Sequence, residues 1–381
     1  FKSPAFTPTI GSIRDKSLIH PFSQKLCSRS KSGCVDVKSS RVEVTEVSGN
    51  PQDRGYKYGK KFRNQIEQTL NELYSSFERA RKWQRERLLI EGRKYVPFIE
   101  EYVPEIADEI KGIAKGAGKE YDEIVTLISY YELGEGIPNL CTCFGVTGEA
   151  TVNGETFIGQ NWDGEKPVLG AMLYVKRETG PNVLTYADYG FPAGYGLNSE
   201  GITVVWNSVH CEKSQLGVPA YIIVREALHQ KLLSEVINRL VNIKRAESLN
   251  FIIADKYGEV YNFEATPDNY DLTYCEKTIV HANHFVSDKL KIERDLILSE
   301  DSNTMIRHHR MTKLINKKCG NIDLKTAMSF QKDHANYPKS ICRHPPAGAT
   351  CSASVIVPEK REMHVSFGNP CENEYHKYKV Q

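Results

Sequence analysis

The first half of the chain carries its apolar residues at helical spacing. From about Asp53 to Leu133, apolar residues recur at intervals of three and four, with charged residues between them, which predicts amphipathic helices. Pro97 and Pro104 divide this region into at least three helices, because proline interrupts the helical hydrogen-bond ladder. The intervals of three and four are clearest at Phe62, Ile66, Leu70 and Leu73.

After Gly136 the pattern changes to short β-rich runs separated by Gly, Asn and Asp. Strands in batches with helices between them predict an α+β layered fold rather than alternating βα units. The predicted strands are Cys141–Gly148, Thr156–Trp162, Met172–Arg177, Val183–Tyr189, Ile202–Ser208, Leu249–Ala254, Val260–Glu264, Thr278–Ala282, Ala353–Val357 and Glu362–Ser366. The predicted helices are Pro219–Gln230, Ser234–Val241, Met305–Lys317 and Leu324–His334, with Pro219 at a first helical position and Ser234 and Asp323 as N-caps.

The composition narrows the class of protein. Of 381 residues, 40% are hydrophobic and 26% charged, and the net charge of +2 favours neither a nucleic-acid nor a membrane partner. No apolar run approaches the roughly 20 residues that a membrane span needs. Residues 1–43 are rich in Ser and Lys without the apolar core of a secretory signal, so we expect a poorly ordered tail before a single domain over 44–381. The expected location is cytoplasmic, and an organellar transit segment is the alternative.

The ten cysteines form no repeating framework and are expected to be free thiols. Cys141 and Cys143 form a CxC pair, for which a metal or disulfide site is the alternative. No CxxC or HxxxH motif supports a structural zinc, so neither a metal nor a cofactor is expected. The Gly-rich stretch Gly112–Glu120 resembles a phosphate loop, but Glu120 replaces the Ser/Thr that would hold Mg²⁺, and a glycine-capped helix end is the better interpretation.

The chemistry concentrates at Cys141, which opens a predicted strand. Asn153-Gly154 predicts a tight hairpin that brings Asn161 and Asp163 back beside it. The preceding stretch Tyr131–Leu140 contains two glycines and a proline and is a plausible cleavage region. A cut before Cys141 would give one residue both a thiol nucleophile and an α-amine base.

Two asparagines end predicted strands: Asn207 after Ile202–Trp206, and Asn283 after Thr278–Ala282. An amide at a strand end can donate an N–H to a developing oxyanion, an effect typically worth about 2.7–4 kcal/mol. Turn capping is the alternative role for each.

The motifs in order resemble the acyl-coenzyme A:6-aminopenicillanic acid acyltransferase family, peptidase family C45 of the N-terminal nucleophile (Ntn) hydrolases. The resemblance spans about Val44–Tyr378. It is carried by Gly49–Gly59, Cys141-Thr142, Gly159–Asp163, Val280–His284, Arg307–Met311 and Ser340–Arg343.

The resemblance implies an αββα sandwich and a precursor (zymogen) that cuts itself between Leu140 and Cys141. It implies an α fragment 44–140 and a catalytic β fragment 141–381. Asp163 would orient the new amine of Cys141, and Asn207 and Asn283 would bind the oxyanion or substrate. Arg307 matches the site arginine of the wider superfamily, with Arg310 as its rival.

The expected activity is that of a cysteine amidohydrolase or acyltransferase acting on a small amide or thioester through a thioester acyl-enzyme. Members that this chain resembles include a hydrolase of β-alanyl amines. In related bile acid hydrolases an Arg stands three places before the Asp, where this chain has Gln160. Two alternatives remain: a degenerate binding protein that keeps the fold, or a conventional thiol protease using His281, His284, His308 or His309.

Overall fold

The computed structural model describes residues 41–134, 140–164, 170–209, 211, 213–291 and 303–381. The predicted tail, residues 1–43, lies outside the described residues except for 41–43. Strand β1 begins at Val44, where the predicted domain begins. Among the described residues no helix has the length and apolar character to cross a membrane.

Seven helices lie in the described residues 41–134, where the apolar spacing predicts at least three. They are α1 (Pro51–Lys61), α2 (Arg63–Arg81), α3 (Arg85–Arg93), α4 (Val96–Tyr102), α5 (Pro104–Ala117), α6 (Tyr121–Ile128) and α7 (Tyr130–Leu133). Pro97 and Pro104 occupy the first turns of α4 and α5, where a missing N–H costs no hydrogen bond. Asn50 caps α1 by accepting from the Asp53 N–H at 2.9 Å.

Glycines let α1 and α5 cross in backbone contact. A Cβ at Gly55 would lie 1.9 Å from the Glu109 carbonyl oxygen, and one at Gly112 would lie 2.2 Å from that of Gln52. Gly59 and Gly116 repeat the contact one turn on. These glycines explain the stretch that resembles a phosphate loop. Its end is the predicted glycine cap, with Gly118 at φ +68°.

Two sheets form the centre. The larger has the order β1-β4-β5-β6-β7-β8-β9-β10, and the smaller has the order β11-β2-β3-β12-β13-β14. The larger contains β1 (Val44–Ser48), β4 (Gly170–Lys176), β5 (Val183–Asp188), β6 (Tyr195–Asn198), β7 (Thr203–Ser208), β8 (Leu249–Ala254), β9 (Val260–Ala265) and β10 (Tyr270–Tyr274). The smaller contains β2 (Thr142–Val146), β3 (Phe157–Gly164), β11 (Thr278–His281), β12 (Ala349–Val357), β13 (Glu362–Phe367) and β14 (His376–Lys379).

The sheets face each other and helices cover both outer sides. Across the sheet interface, Gln160 donates to the Trp206 carbonyl at 2.7 Å and His281 pairs with Glu264 at 2.8 Å. Helices α8 (Ala220–Ala227) and α9 (Leu233–Asn242) lie with α1 and α5 beside the larger sheet, whereas α10 (Asn303–Lys318) and α11 (Leu324–Phe330) pack on the smaller. The predicted α+β class and four-layer αββα arrangement are confirmed.

Details of the sequence prediction need correction. Strands β1, β6, β10 and β14 were not predicted, because each is short and β10 and β14 carry exposed polar residues. Ser234 is not an N-cap, since the helix begins at Leu233 and the Leu232 N–H donates to Glu235 Oε2 at 3.1 Å. Pro219 is the N-cap of α8 rather than its first residue. Asp323 is an N-cap as predicted, accepting from Thr326 N–H at 2.7 Å.

Candidate active site

The hairpin of β2 and β3 places Cys141 at the start of a central strand. The strands pair antiparallel with Thr142 opposite Asn161. The predicted tight Asn153-Gly154 turn is wrong, because the connection runs from Thr147 to Thr156. This connection contains a short 3₁₀ turn and a β-bridge between Thr151 and Ile322, so it is longer than a two-residue hairpin turn. The pairing of the two strands is nevertheless as the sequence predicts.

Cys141 is buried, with 1% of its surface exposed. Burial raises the pKa of its thiol to about 12, and the charge of Asp163 adds to this effect. The Asp163 backbone and the Gln160 side chain form hydrogen bonds with the sulfur that favour the thiolate but do not offset burial. The thiol of the uncut chain is therefore protonated at neutral pH and requires a base to become a nucleophile.

Arg307 of α10 holds the start of β2 from the outer side of the sheet. Its Nη1 donates to the Cys141 carbonyl oxygen at 2.5 Å and to Thr142 Oγ1 at 2.8 Å, and its Nη2 donates to Asn283 Oδ1 at 2.8 Å. Arg310 is directed elsewhere and forms a partly exposed ion pair with Asp333 at 2.6 Å. Of the two candidate arginines, the structure places Arg307 at the cysteine.

Asp163 is also buried, at 1% exposure. One carboxylate oxygen accepts from Thr350 Oγ1 at 2.7 Å, and the other lies 3.7 Å from Arg343 Nε. Burial raises the pKa of Asp163 to about 6, although Arg343 and Arg307 act in the opposite direction. Because Oδ2 accepts no hydrogen bond among the described residues, it can accept one from a group at Cys141.

Three residues of this network were not singled out from the sequence: Asn303, Arg343 and Thr350. Asn303 Oδ1 accepts from both Arg307 Nε and Arg343 Nη2, each at 2.9 Å. Arg343 N–H donates to Thr350 Oγ1 at 2.9 Å, and Thr350 in turn donates to Asp163. Arg343 ends one of the segments that carry the family resemblance, which is the signal that could have found it.

The two predicted asparagines are both buried but differ in their partners. Asn207 accepts from Asn250 at 3.4 Å and lies beside the Cys143 thiol, and its Nδ2 has no oxygen partner among the described residues. Asn283 is engaged on every side. Its Nδ2 donates to the Ser208 carbonyl at 3.0 Å, and its Oδ1 accepts from Arg307. Asn207 is therefore the freer N–H donor.

Strand β3 directs Gln160 and Asn161 to opposite sides of the sheet. Gln160 Nε2 donates to the Trp206 carbonyl oxygen, and Gln160 Oε1 accepts the Trp206 N–H at 3.3 Å. The Gln160 side chain thus provides partners for the Trp206 backbone N–H and carbonyl of β7, beyond the residues that β6 pairs with. Asn161 lies opposite Thr142, next to Cys141, as the hairpin predicts, and its side chain donates to the Gln331 and Ile341 carbonyl oxygens.

The histidines have other partners. His281 pairs with Glu264, and His284 Nδ1 lies 2.9 Å from Thr304 Oγ1. Burial lowers the pKa of His284 to about 3 and that of His308 to about 4, so both are neutral at physiological pH. The groups that most influence the Cys141 thiol do not include a histidine. This arrangement does not favour a Cys–His pair.

A cavity of about 620 Å³ reaches Asp163 from the side of α2. Trp162, Phe191 and Tyr130 provide aromatic walls, and Asp188 provides a second carboxylate. Burial raises the pKa of Asp188 to about 6, which still leaves most of this carboxyl ionised at neutral pH. Leu140, on the other side of Cys141, is half-buried, and residues 135–139 of the predicted cleavage stretch lie outside the described residues.

Comparisons with known proteins identify the family of the chain. The sequence profile of the family described as acyl-coenzyme A:6-aminopenicillanic acid acyl-transferase matches residues 150–372, more than half of the chain. A relative in Emericella nidulans, named acyl-coenzyme A:6-aminopenicillanic-acid-acyltransferase 40 kDa form, is 28% identical over 311 residues, which are 77% of this chain and 83% of that protein.

Two solved structures show a weaker likeness. A mutant of conjugated bile acid hydrolase from Clostridium perfringens has a TM-score of 0.41 and 13% identity, covering 63% of this chain and 97% of that one. Penicillin V acylase from Agrobacterium tumefaciens has a TM-score of 0.42 and 12% identity, covering 60% and 83%. The four layers are established by the contacts described above, independently of these likenesses.

Proposed function

The chain belongs to the acyl-coenzyme A:6-aminopenicillanic acid acyl-transferase family, and from that membership we propose that it is a self-processing N-terminal-cysteine amidohydrolase or acyltransferase. The observation that carries the proposal is the placement of Cys141. It is a buried thiol at a strand start, and it is held by Arg307 on its carbonyl and by Asp163 on its sulfur.

Processing would begin with the Cys141 sulfur attacking the Leu140 carbonyl carbon. The Leu140–Cys141 C–N bond breaks, the nitrogen takes the proton, and water then hydrolyses the thioester. The new α-amine titrates near 8, whereas the buried thiol has a pKa of about 12. The amine belongs to the same residue as the sulfur and is unprotonated in part at neutral pH, so it is the base proposed for the thiol, and Asp163 Oδ2, which accepts no hydrogen bond in the described structure, would orient it.

In turnover, the α-amine takes the thiol proton as the sulfur bonds to the substrate carbonyl carbon. The amide C–N bond breaks, the leaving amine takes that proton, and water or an acceptor amine cleaves the thioester. Asn207 Nδ2 is the side-chain donor proposed for the oxyanion, because it has no oxygen partner of its own in the described structure. Asn283 would act through Arg307, which it holds.

The substrate class follows from the cavity beside Asp163. Its aromatic walls suit a planar amine. Among its described lining residues, four acids outnumber the one arginine, Arg79; the acids are Glu67, Glu72, Asp163 and Asp188. This balance favours a substrate that carries positive charge. A β-alanyl amine meets both conditions, since it has a cationic amine and can carry an aromatic ring.

Intact mass spectrometry tests processing. The parent protein should yield a fragment beginning Cys141-Thr142-Cys143, whereas Cys141→Ala should remain one chain. Cys143→Ala is the matched control, two residues away on the same strand, and should still be cut. If the parent remains whole and yet hydrolyses amides, the Ntn mechanism is wrong.

Activity separates the enzyme from a degenerate binding protein. The cut parent should hydrolyse a β-alanyl amine and should become labelled at Cys141 by a thiol-directed acylating probe. Asp188→Asn should raise KM for the cationic substrate more than for an uncharged acyl amide. Absence of both turnover and labelling in a cut, folded parent would favour the binding protein.

A further inference from the structure

A second set of reactive side chains lies away from the proposed catalytic cysteine. His334, Cys342, His344 and Cys371 place one ligand atom each within 4.8 Å of one another. From this geometry we propose a structural zinc site with a Cys₂His₂ ligand set. No motif in the sequence marks it, because the ligands are 2 to 37 positions apart and form no CxxC or HxxxH pattern.

Four of the six distances between the ligand atoms are close to the edges of a coordination tetrahedron, and the other two lie within 4.8 Å. Bond lengths of about 2.3 Å to sulfur and 2.0–2.1 Å to nitrogen place ligand atoms about 3.8 Å apart for two sulfurs, 3.3 Å for two nitrogens and 3.6 Å for a mixed pair. Cys342 and Cys371 Sγ are 3.6 Å apart, and His334 and His344 Nε2 are 3.1 Å apart. His344 Nε2 lies 3.6 Å from Cys342 Sγ and 3.4 Å from Cys371 Sγ.

Neighbouring groups suit the same ion. Asn369 Nδ2 lies 3.6 Å from Cys342 Sγ, where it can donate to a thiolate, and it donates to the Arg343 carbonyl at 2.6 Å. Glu372 lies 4.0 Å from His344 Nδ1, on the ring edge opposite the proposed metal. A carboxylate there favours the tautomer with its proton on Nδ1 and leaves Nε2 to coordinate.

Two thiolates and two imidazoles select zinc among the common divalent ions. Calcium and magnesium prefer oxygen ligands, and a tetrahedral S₂N₂ set is typical of zinc. A disulfide is the competing arrangement for the two cysteines. It would need their sulfurs about 2.05 Å apart rather than 3.6 Å, and it would not explain why two histidines converge on the same point.

The site would fix the loop that supports the catalytic region. Arg343 lies between Cys342 and His344 in sequence, and its guanidinium is 3.7 Å from Asp163. Cys371 lies between β13 and β14, so a zinc ion would join the loop before β12 to the connection between those two strands. Since all four positions are taken by protein, the ion would stabilise structure rather than bind substrate.

Metal analysis of the purified full chain, expressed with zinc in the medium, tests the proposal. We expect about one zinc per chain in the parent and its loss in Cys342→Ser/Cys371→Ser, because structural sites need their full ligand set. Cys319→Ser, which changes an exposed thiol, is the matched control and should retain the metal. A zinc-free parent, or one lighter by two hydrogens through a Cys342–Cys371 disulfide, overturns the proposal.

Cobalt substitution provides a test that does not depend on a variant folding. Co²⁺ added to the metal-depleted parent should give thiolate charge-transfer bands and the intense visible bands of a tetrahedral ion. A spectrum typical of octahedral cobalt with oxygen ligands would contradict the site. The Cys141→Ala precursor should bind zinc as the parent does, so loss of processing and loss of metal are separate outcomes.

Discussion

Two buried arginine clusters lie in different layers of the molecule, and they are neutralised in different ways. In the helical layer, Glu109 accepts from Arg54 at 3.1 Å and from Arg225 at 2.7 Å. At Cys141, Arg307 and Arg343 donate to carbonyl, hydroxyl and amide oxygens.

The difference indicates what each cluster does. Buried arginines that share a carboxylate hold elements together, and removing the carboxylate leaves uncompensated ions. The positive charge of the arginines at Cys141 is only partly neutralised. The Asp163 carboxylate lies 3.7 Å from Arg343 and accepts its hydrogen bond from Thr350. Such a cluster can stabilise negative charge that develops during a reaction.

The largest expected effect tests the helical cluster. Glu109→Gln removes the charge shared by Arg54 and Arg225 and should lower the free energy of unfolding by about 3–5 kcal/mol. Urea unfolding of the variant in a Cys141→Ala background measures this without interference from processing. Glu100→Gln, which weakens an exposed pair with Lys111, is the control and should change stability by less than about 1 kcal/mol. Equal effects would mean that the helical cluster does not have the structural role assigned to it.

The next effect concerns catalysis. Asn207→Ala in the processed enzyme should lower kcat by about 10²–10³-fold, equivalent to about 2.7–4 kcal/mol, with little change in KM. Steady-state kinetics on an amide substrate measures it. Asn250→Ala, which removes the donor to Asn207 Oδ1, should cost less. A loss seen in KM alone would assign Asn207 to substrate binding rather than to the oxyanion.

The third prediction concerns pH. The pKa of Asp163 is about 6 in the folded chain against an ordinary 3.8, so the folded state binds the proton more tightly than the unfolded state. The stability that this proton provides is fully present at pH values below the ordinary pKa of 3.8, and it is lost as the pH rises through the folded-state pKa of about 6. The loss amounts to about 3 kcal/mol.

Urea unfolding of the Cys141→Ala precursor at several pH values between 4 and 7 measures this loss. Adding Asp163→Asn should remove about 3 kcal/mol of the decline, because the amide cannot ionise. Other buried acids contribute to both curves, so the difference between the curves is the readout. Parallel curves would contradict the raised pKa.

The smallest effect concerns the rival arginine. Arg310→Ala breaks a partly exposed pair with Asp333 and should reduce stability by about 0.2–1 kcal/mol while processing and turnover stay normal. Arg307→Ala should impair both processing and turnover, since it releases the Cys141 carbonyl. If Arg310→Ala abolishes turnover in a folded protein, the assignment of Arg307 is wrong.

The sequence predicted the elements whose pattern is local. Apolar spacing located the N-terminal helices, and short β-rich runs between Gly, Asn and Asp breaks located ten of the thirteen strands described from Thr142 onward. The pairing of the Cys141 strand with the Asp163 strand also followed from order along the chain. Short strands such as β14 escaped detection, because their pairing partner rather than their composition makes them strands.

The parts that were missed depend on contacts between distant segments. Asn303 and Arg343 join the site through side chains separated by 40 positions, and no local spacing marks such a pair. The four proposed zinc ligands were missed for the same reason. The roles of Gly55 and Gly112 became clear only when two helix backbones met.

The hydrogen bond from Arg307 to the Cys141 carbonyl oxygen determines how far the backbone would move after cleavage. Chain ends usually fray, because one neighbour is lost. Here the atoms that Arg307 holds lie on the C-terminal side of the proposed cut, and β2 remains paired with β3 and β11. A cut would therefore create an N-terminus at Cys141 that stays in position. The site would gain the charge of the new α-amine without a rearrangement of the backbone around it.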